Sequence, residues 1–93
     1  MDIAIRHDEA NRRFVADLGG QAAELTYVER DAETVVFHHT FVPPGLRGGG
    51  VAGALAARAL EWARDSGRRV IPVCPYVASF MQRHPEYESL LAR

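Results

Sequence analysis

The chain has 93 residues, 47% of them hydrophobic and 25% charged, which suits one globular domain near the lower size limit for folding without metal or disulfide support. A formal net charge of -1 argues against nucleic acid and membrane surfaces as partners, because both select a basic excess; all 11 basic residues are arginine, which reads as codon bias. The sole cysteine, Cys74, cannot close an internal disulfide, and no run nears the ~20 apolar residues of a membrane span or forms a signal peptide, so a cytoplasmic protein is expected.

The first half of the chain reads as strands. Ile3 and Ile5 alternate with polar neighbours; Arg13 to Ala16 runs toward the Gly19-Gly20 turn, and Ala23 to Val28 follows it. Thr34 to Val42 is the strongest strand, dense in β-branched and aromatic residues and ended by Pro43-Pro44-Gly45. With turn residues at Asp8 to Asn11 and Arg30 to Ala32, these runs form an antiparallel meander. The period then changes. Val51, Leu55, Ala59 and Trp62 follow helical spacing as far as Ser66, and Gly67 is a plausible stop. Arg69 to Cys74 reads as a further strand, and Pro75 sits where proline can begin a helix. Val77, Phe80 and Met81 form one face of that short helix before Pro85, and Glu88 to Arg93 is expected to add a last helical turn. The expected architecture is α+β, a single domain over residues 1–93 with a mainly antiparallel sheet, one long helix and one short C-terminal helix.

The chemistry concentrates in the strand-to-helix loop Arg47-Gly48-Gly49-Gly50-Val51-Ala52. A helix N-terminus presents unpaired amides and a partial positive charge, and so accepts anions. Glycines let the backbone close around a phosphate, the first helical turn carries no acid to repel one, and Arg47 can contact the anion or brace the loop. Gly48-x-Gly50-x-x-Gly53 also spells the dinucleotide fingerprint, but the next strand ends at Cys74 with no acid for a ribose. A mononucleotide loop would need Lys-Ser/Thr after the glycines. The plain alternative is a flexible turn feeding a structural helix.

Arg47-x-x-Gly50-x-Ala52 resembles the Arg/Gln-x-x-Gly-x-Gly/Ala signature of the GNAT superfamily of N-acetyltransferases. Together with His39 to Pro44, Pro72 to Val77 and Arg83 to Tyr87, it resembles the minimal single-domain acetyltransferase-like members. The resemblance implies a GNAT-like fold that binds acetyl-coenzyme A where the loop strand and the returning strand splay apart. Val42 would meet the pantetheine arm through its backbone, and Arg47, Gly48, Gly49, Gly50, Val51 and Ala52 would hold the pyrophosphate. Arg83 would reach the adenosine 3'-phosphate, or else stand as a solvated surface arginine. It also implies that the helices which wall the acceptor site in larger members are absent, in keeping with the short Asp8 to Asn11 connection.

Three side chains are candidates for catalysis. Cys74 precedes a proline-initiated helix, where the dipole favours thiolate, and the resemblance places it near the thioester; it would carry the acetyl group or position the coenzyme A sulfur. Otherwise it is a small buried hydrophobe. By the same resemblance Tyr76 would protonate the leaving thiolate; otherwise it is an amphipathic residue at a helix edge. His39 would take a proton from an amine, with His38 on the opposite face of the strand so that only one of them can serve the cleft, or be an ordinary strand histidine. His84 reads as structural. No metal-ligand spacing occurs. Two functions follow: acetyl transfer to an unidentified amine (a small molecule or a peptide), by a monomer or small homo-oligomer, or a coenzyme A-binding or interaction module without efficient chemistry.

Overall fold

Burial along the third strand shows how the sheet is built. In β3 (Gln21–Asp31), Ala23, Leu25 and Tyr27 are buried while Glu24 and Thr26 between them are not, the alternation of a strand with one face on a core. The structure, a computed structural model, describes residues 3–92. Its sheet has the order β1-β2-β3-β4-β5, with β1 (Arg6–Asp8), β2 (Arg13–Leu18), β4 (Thr34–Phe41) and β5 (Arg69–Pro72). The first four strands are antiparallel; β5 returns parallel to β4 through the crossover helix α1 (Val51–Asp65). The architecture is therefore α+β, as expected.

α1 buries Val51, Leu55, Ala56, Ala59, Leu60 and Ala63, a stripe at intervals of three and four residues. It ends in a glycine stop: Gly67 has a φ of 73°, its N–H donates to Arg64 O at 3.1 Å, and Arg68 N–H donates to Ala63 O at 2.8 Å. A second helix, α2 (Pro75–Arg83), adds Val77, Phe80 and Met81 to the same core, which also takes in Phe14, Leu25, Phe37 and Val70. On the opposite face of the sheet, ion pairs flank the buried Val15: Arg6 with Asp17 at 3.2 Å, and Arg13 with Asp8 at 3.0 Å and Glu24 at 2.9 Å. Toward β4 this face leaves Val28 and Phe41 46% and 44% exposed.

Four features depart from the sequence expectation. The first strand is Arg6–Asp8; Ile3 and Ile5 precede it and pack half-buried against the core. β5 stops at Pro72, where its ladder with β4 ends. The tail forms a 3-10 helix over Pro85–Leu90, after which Leu91 bridges Val70 and Ala92 N–H donates to Val70 O at 2.9 Å. The tail thus covers the outer edge of β5, whose unpaired groups would otherwise recruit another strand; Arg93 lies outside the described residues. Finally, β4 carries a bulge: Thr26 faces His39 but Tyr27 faces Phe37, so His38 is the extra residue.

Candidate active site

The segment between β4 and α1 follows from its residues. Pro43 holds a φ of -55°, and Pro44–Leu46 forms one 3-10 turn, with Leu46 N–H donating to Pro43 O at 2.9 Å. Arg47 then reaches back, its Nε donating to the Val42 carbonyl at 3.0 Å. This bond ties the end of β4 to the start of the glycine run. Gly48 and Gly50 take φ values of 86° and 81°, the left-handed region that favours glycine. Gly50 is the N-cap of α1 and offers no side chain to the first-turn amides, and that turn holds no acid. Those N–H groups are open to an outside acceptor.

Here lies a cavity of 280 Å3, lined by Val42, Leu46, Arg47, Gly48, Gly50, Val51, Ala52, Gly53 and Tyr76. A Cβ built on Gly48 or Gly50 meets nothing within 4 Å, so it would stand in open space beside the lining. Among the described residues, no carboxylate lines the cavity. Glycine backbone, uncapped amides and one arginine suit a pyrophosphate, and the apolar Val42, Leu46 and Tyr76 suit an organic arm. Gly49 lies on the other side of the loop, lining a 270 Å3 apolar cavity with Ile3, Leu18, Leu46 and Val51. Leu46 had not stood out in sequence, and Gly53 had done so only as the third glycine of the dinucleotide fingerprint, not as part of this lining.

Beyond the Phe37–Pro72 pair β4 continues to Phe41, while the other chain turns away through Val73 into α2. Cys74 N–H still donates to Phe37 O at 2.9 Å, the last link before the strands part. Cys74 is 5% exposed, and its Sγ lies 3.3 Å from Thr40 Oγ1. It is the N-cap of α2, with no capping hydrogen bond from its side chain.

The bulge explains this pairing. Val35 and Phe37 face the core; unbroken alternation would bring His39 inward next. With His38 inserted, His39 pairs with Thr26 on the open face, and Thr40 pairs with Leu25 on the core face. Both histidines are exposed. The expectation of opposite faces for His38 and His39 assumed a regular strand. The structure therefore brings together Thr40, Cys74, Val42, Tyr76 and the loop, and sets His39 on the other side of the sheet. Tyr76 is held by α1: a Cβ on Gly53 would sit 3.5 Å from its hydroxyl. Arg83 stands outside the cavity lining, exposed, with Nε 3.5 Å from Ser79 O and its guanidinium 6.0 Å from the Tyr76 ring. His84 stacks on Phe80 at 4.1 Å between ring centroids, with Nδ1 3.9 Å from Glu86.

An antiparallel sheet whose last strand returns parallel and splays beside a glycine-lined helix start defines a protein of the acyltransferase type. The chain belongs to the GCN5-related N-acetyl-transferase family, whose profile matches residues 13–90. It is 33% identical to the protein NATD1 of Bos taurus over 85 residues, 89% of this chain and 75% of that one. It is 30% identical to NATD1 of Danio rerio over 89 residues, 91% and 81% of the two chains. The fold matches the solution structure of a GCN5-like protein from Staphylococcus aureus with a TM-score of 0.75, at 26% identity over 97% of this chain and 88% of the other.

Proposed function

We propose that this protein is an acetyl-coenzyme A-dependent N-acetyltransferase acting on an amine acceptor. The observation that carries the reading is the cavity of Val42, Leu46, Arg47, Gly48, Gly50 to Gly53 and Tyr76 at the α1 N-terminus, which no described carboxylate lines, beside the splay between β4 and β5. Acetyl-coenzyme A supplies an acetyl group already activated as a thioester. The amides of the loop and first turn, with Arg47, hold the pyrophosphate, and the end of β4 at Val42 guides the pantetheine arm. Arg83, just outside the lining, reaches the 3'-phosphate of a ligand that extends past Tyr76.

Three side chains divide the remaining work. Cys74 accepts the acetyl group or holds the departing sulfur; Tyr76, on the cavity wall, returns a proton to it. His39 takes the proton of the attacking amine. It lies across the sheet from Cys74, so it receives that proton through solvent and not by direct contact; only a 3-10 turn at Glu9–Asn11 separates β1 from β2, so no helix there walls off an acceptor. The acceptor class is therefore an amine that docks on an open surface, a peptide or a small molecule. The setting is the cytoplasm, and the working unit is a monomer or small homo-oligomer.

A second reading is a coenzyme A-binding module without efficient chemistry. It is favoured by the cavity lining, which contains no carboxylate to act as a base. Mass measurement after incubation with acetyl-coenzyme A, with Cys74→Ala as control, tests the covalent route: the acetyl mass on Cys74 supports it, and its absence leaves direct transfer. Thioester consumption against a panel of amines separates enzyme from module. A melting point that does not rise with coenzyme A defeats both, because a ligand bound only by the folded state must stabilise it.

A further inference from the structure

We propose that Thr40 is a positioning residue of this site, its hydroxyl holding Cys74 Sγ across the gap where β4 and β5 separate. The proposal rests on the acetyltransferase reading above for its purpose, but its geometry stands apart from that reading. The bulge at His38 reverses the facing of every later residue of β4. Without it Thr40 would point to the open face, and no hydroxyl would reach Cys74. With it, Thr40 Oγ1 lies 3.3 Å from Sγ, three residues beyond the Phe37 carbonyl that already holds the Cys74 amide. The cysteine is thus fixed to β4 at two points, one through its backbone and one through its sulfur. Threonine suits the second because its branched side chain has little freedom at χ1.

The hydrogen bond serves either form of the sulfur: a thiol can donate to Thr40 or accept from it, and a thiolate can accept. In the covalent route, Cys74 first gives its proton to solvent. A sulfur lone pair then forms a bond to the acetyl carbonyl carbon while the bond from that carbon to the coenzyme A sulfur breaks. The departing sulfur keeps the electron pair and is protonated by Tyr76. Thr40 enters none of these bonds; it orients the sulfur.

The test uses Cys74 as the sole cysteine of the chain, so the rate of its alkylation by iodoacetamide at one fixed pH, read by intact mass with Cys74→Ala as control, reports this group alone. Compare wild type, Thr40→Val and Thr40→Ser, and check the fold of each by thermal melting. We expect Thr40→Val, which keeps the shape and loses the hydroxyl, to change that rate by about two- to tenfold, the scale of one hydrogen bond. Thr40→Ser should return it toward wild type. If the valine protein does not fold, Thr40→Ala against Thr40→Ser makes the same comparison. An unchanged rate without the hydroxyl, or no recovery with serine, overturns the proposal. If the rate changes yet no acetyl mass appears on Cys74 and no amine is acetylated, the acetyltransferase reading fails and the hold by Thr40 stands.

Discussion

His7 is the residue whose surroundings say most about pH. It stacks on Phe14 at 4.1 Å and meets Trp62 edge-on at 4.8 Å, and its Nε2 lies 2.6 Å from the Tyr27 hydroxyl. Burial holds its pKa below the ordinary 6.5, with Arg58 and Arg68 adding to the effect and Glu9 and Asp8 opposing it. The fold therefore favours neutral His7, while the unfolded chain protonates it near 6.5. The stability this contributes is complete above that value and is lost as pH falls through it toward the lower folded-state pKa. Melting points measured between about pH 8 and pH 5 should fall more steeply for wild type than for His7→Gln, which still offers Tyr27 a partner but does not titrate. Equal slopes would show that His7 is not the group responsible. Arg47 gives a second prediction at this scale. Arg47→Gln should weaken coenzyme A binding about tenfold by titration calorimetry, the loss of one charge-assisted contact. An unchanged affinity would restrict Arg47 to bracing Val42.

Among the elements, α1 offers a matched pair of glycines, one at each end. Gly67 and Gly50 both take positive φ, and a Cβ on either meets nothing within 4 Å. Gly67→Ala should therefore cost about 1 kcal/mol through backbone strain, lowering the melting point by roughly 5 °C, and should leave the response to coenzyme A intact. Gly50→Val carries a similar strain of ~1–2 kcal/mol but should lose that response as well. If both variants respond to the ligand alike, the pyrophosphate does not sit at Gly50. Both ends of this helix were legible in sequence, because helical spacing, glycine and the absence of an acid are local signals. So was the start of α2 at Pro75. The bulge at His38 was not, since it depends on how β4 pairs with β3, and alternation alone put His38 and His39 on opposite faces. The strand placed at Ile3 and Ile5 failed for a related reason: their apolar pattern serves packing on the core, whereas pairing with β2 begins at Arg6.

At the scale of the molecule, one core joins helices and sheet, and a small chain has little redundancy. Leu60 is fully buried in it, so Leu60→Ala should cost about 2–5 kcal/mol, a large part of the ~5–15 kcal/mol typical of a domain. Its urea midpoint should fall accordingly, and a midpoint near wild type would mean the core is less shared than the packing indicates. The broad α+β plan was readable from periodicity, and the glycine loop before α1 from its composition. Closure of the β5 edge by Leu91 and Ala92 was hidden, because a single parallel bridge leaves no periodic trace. The positions of His39 and Arg83 relative to the cavity likewise depended on pairing and helix rotation. The account as a whole rests on what the glycine cavity holds. The most direct test is calorimetric titration of the purified protein with coenzyme A, with Gly50→Val alongside after its fold has been verified. Saturable binding by wild type that is lost in the variant is the predicted result; no binding by wild type, or equal binding by a folded Gly50→Val protein, would contradict it.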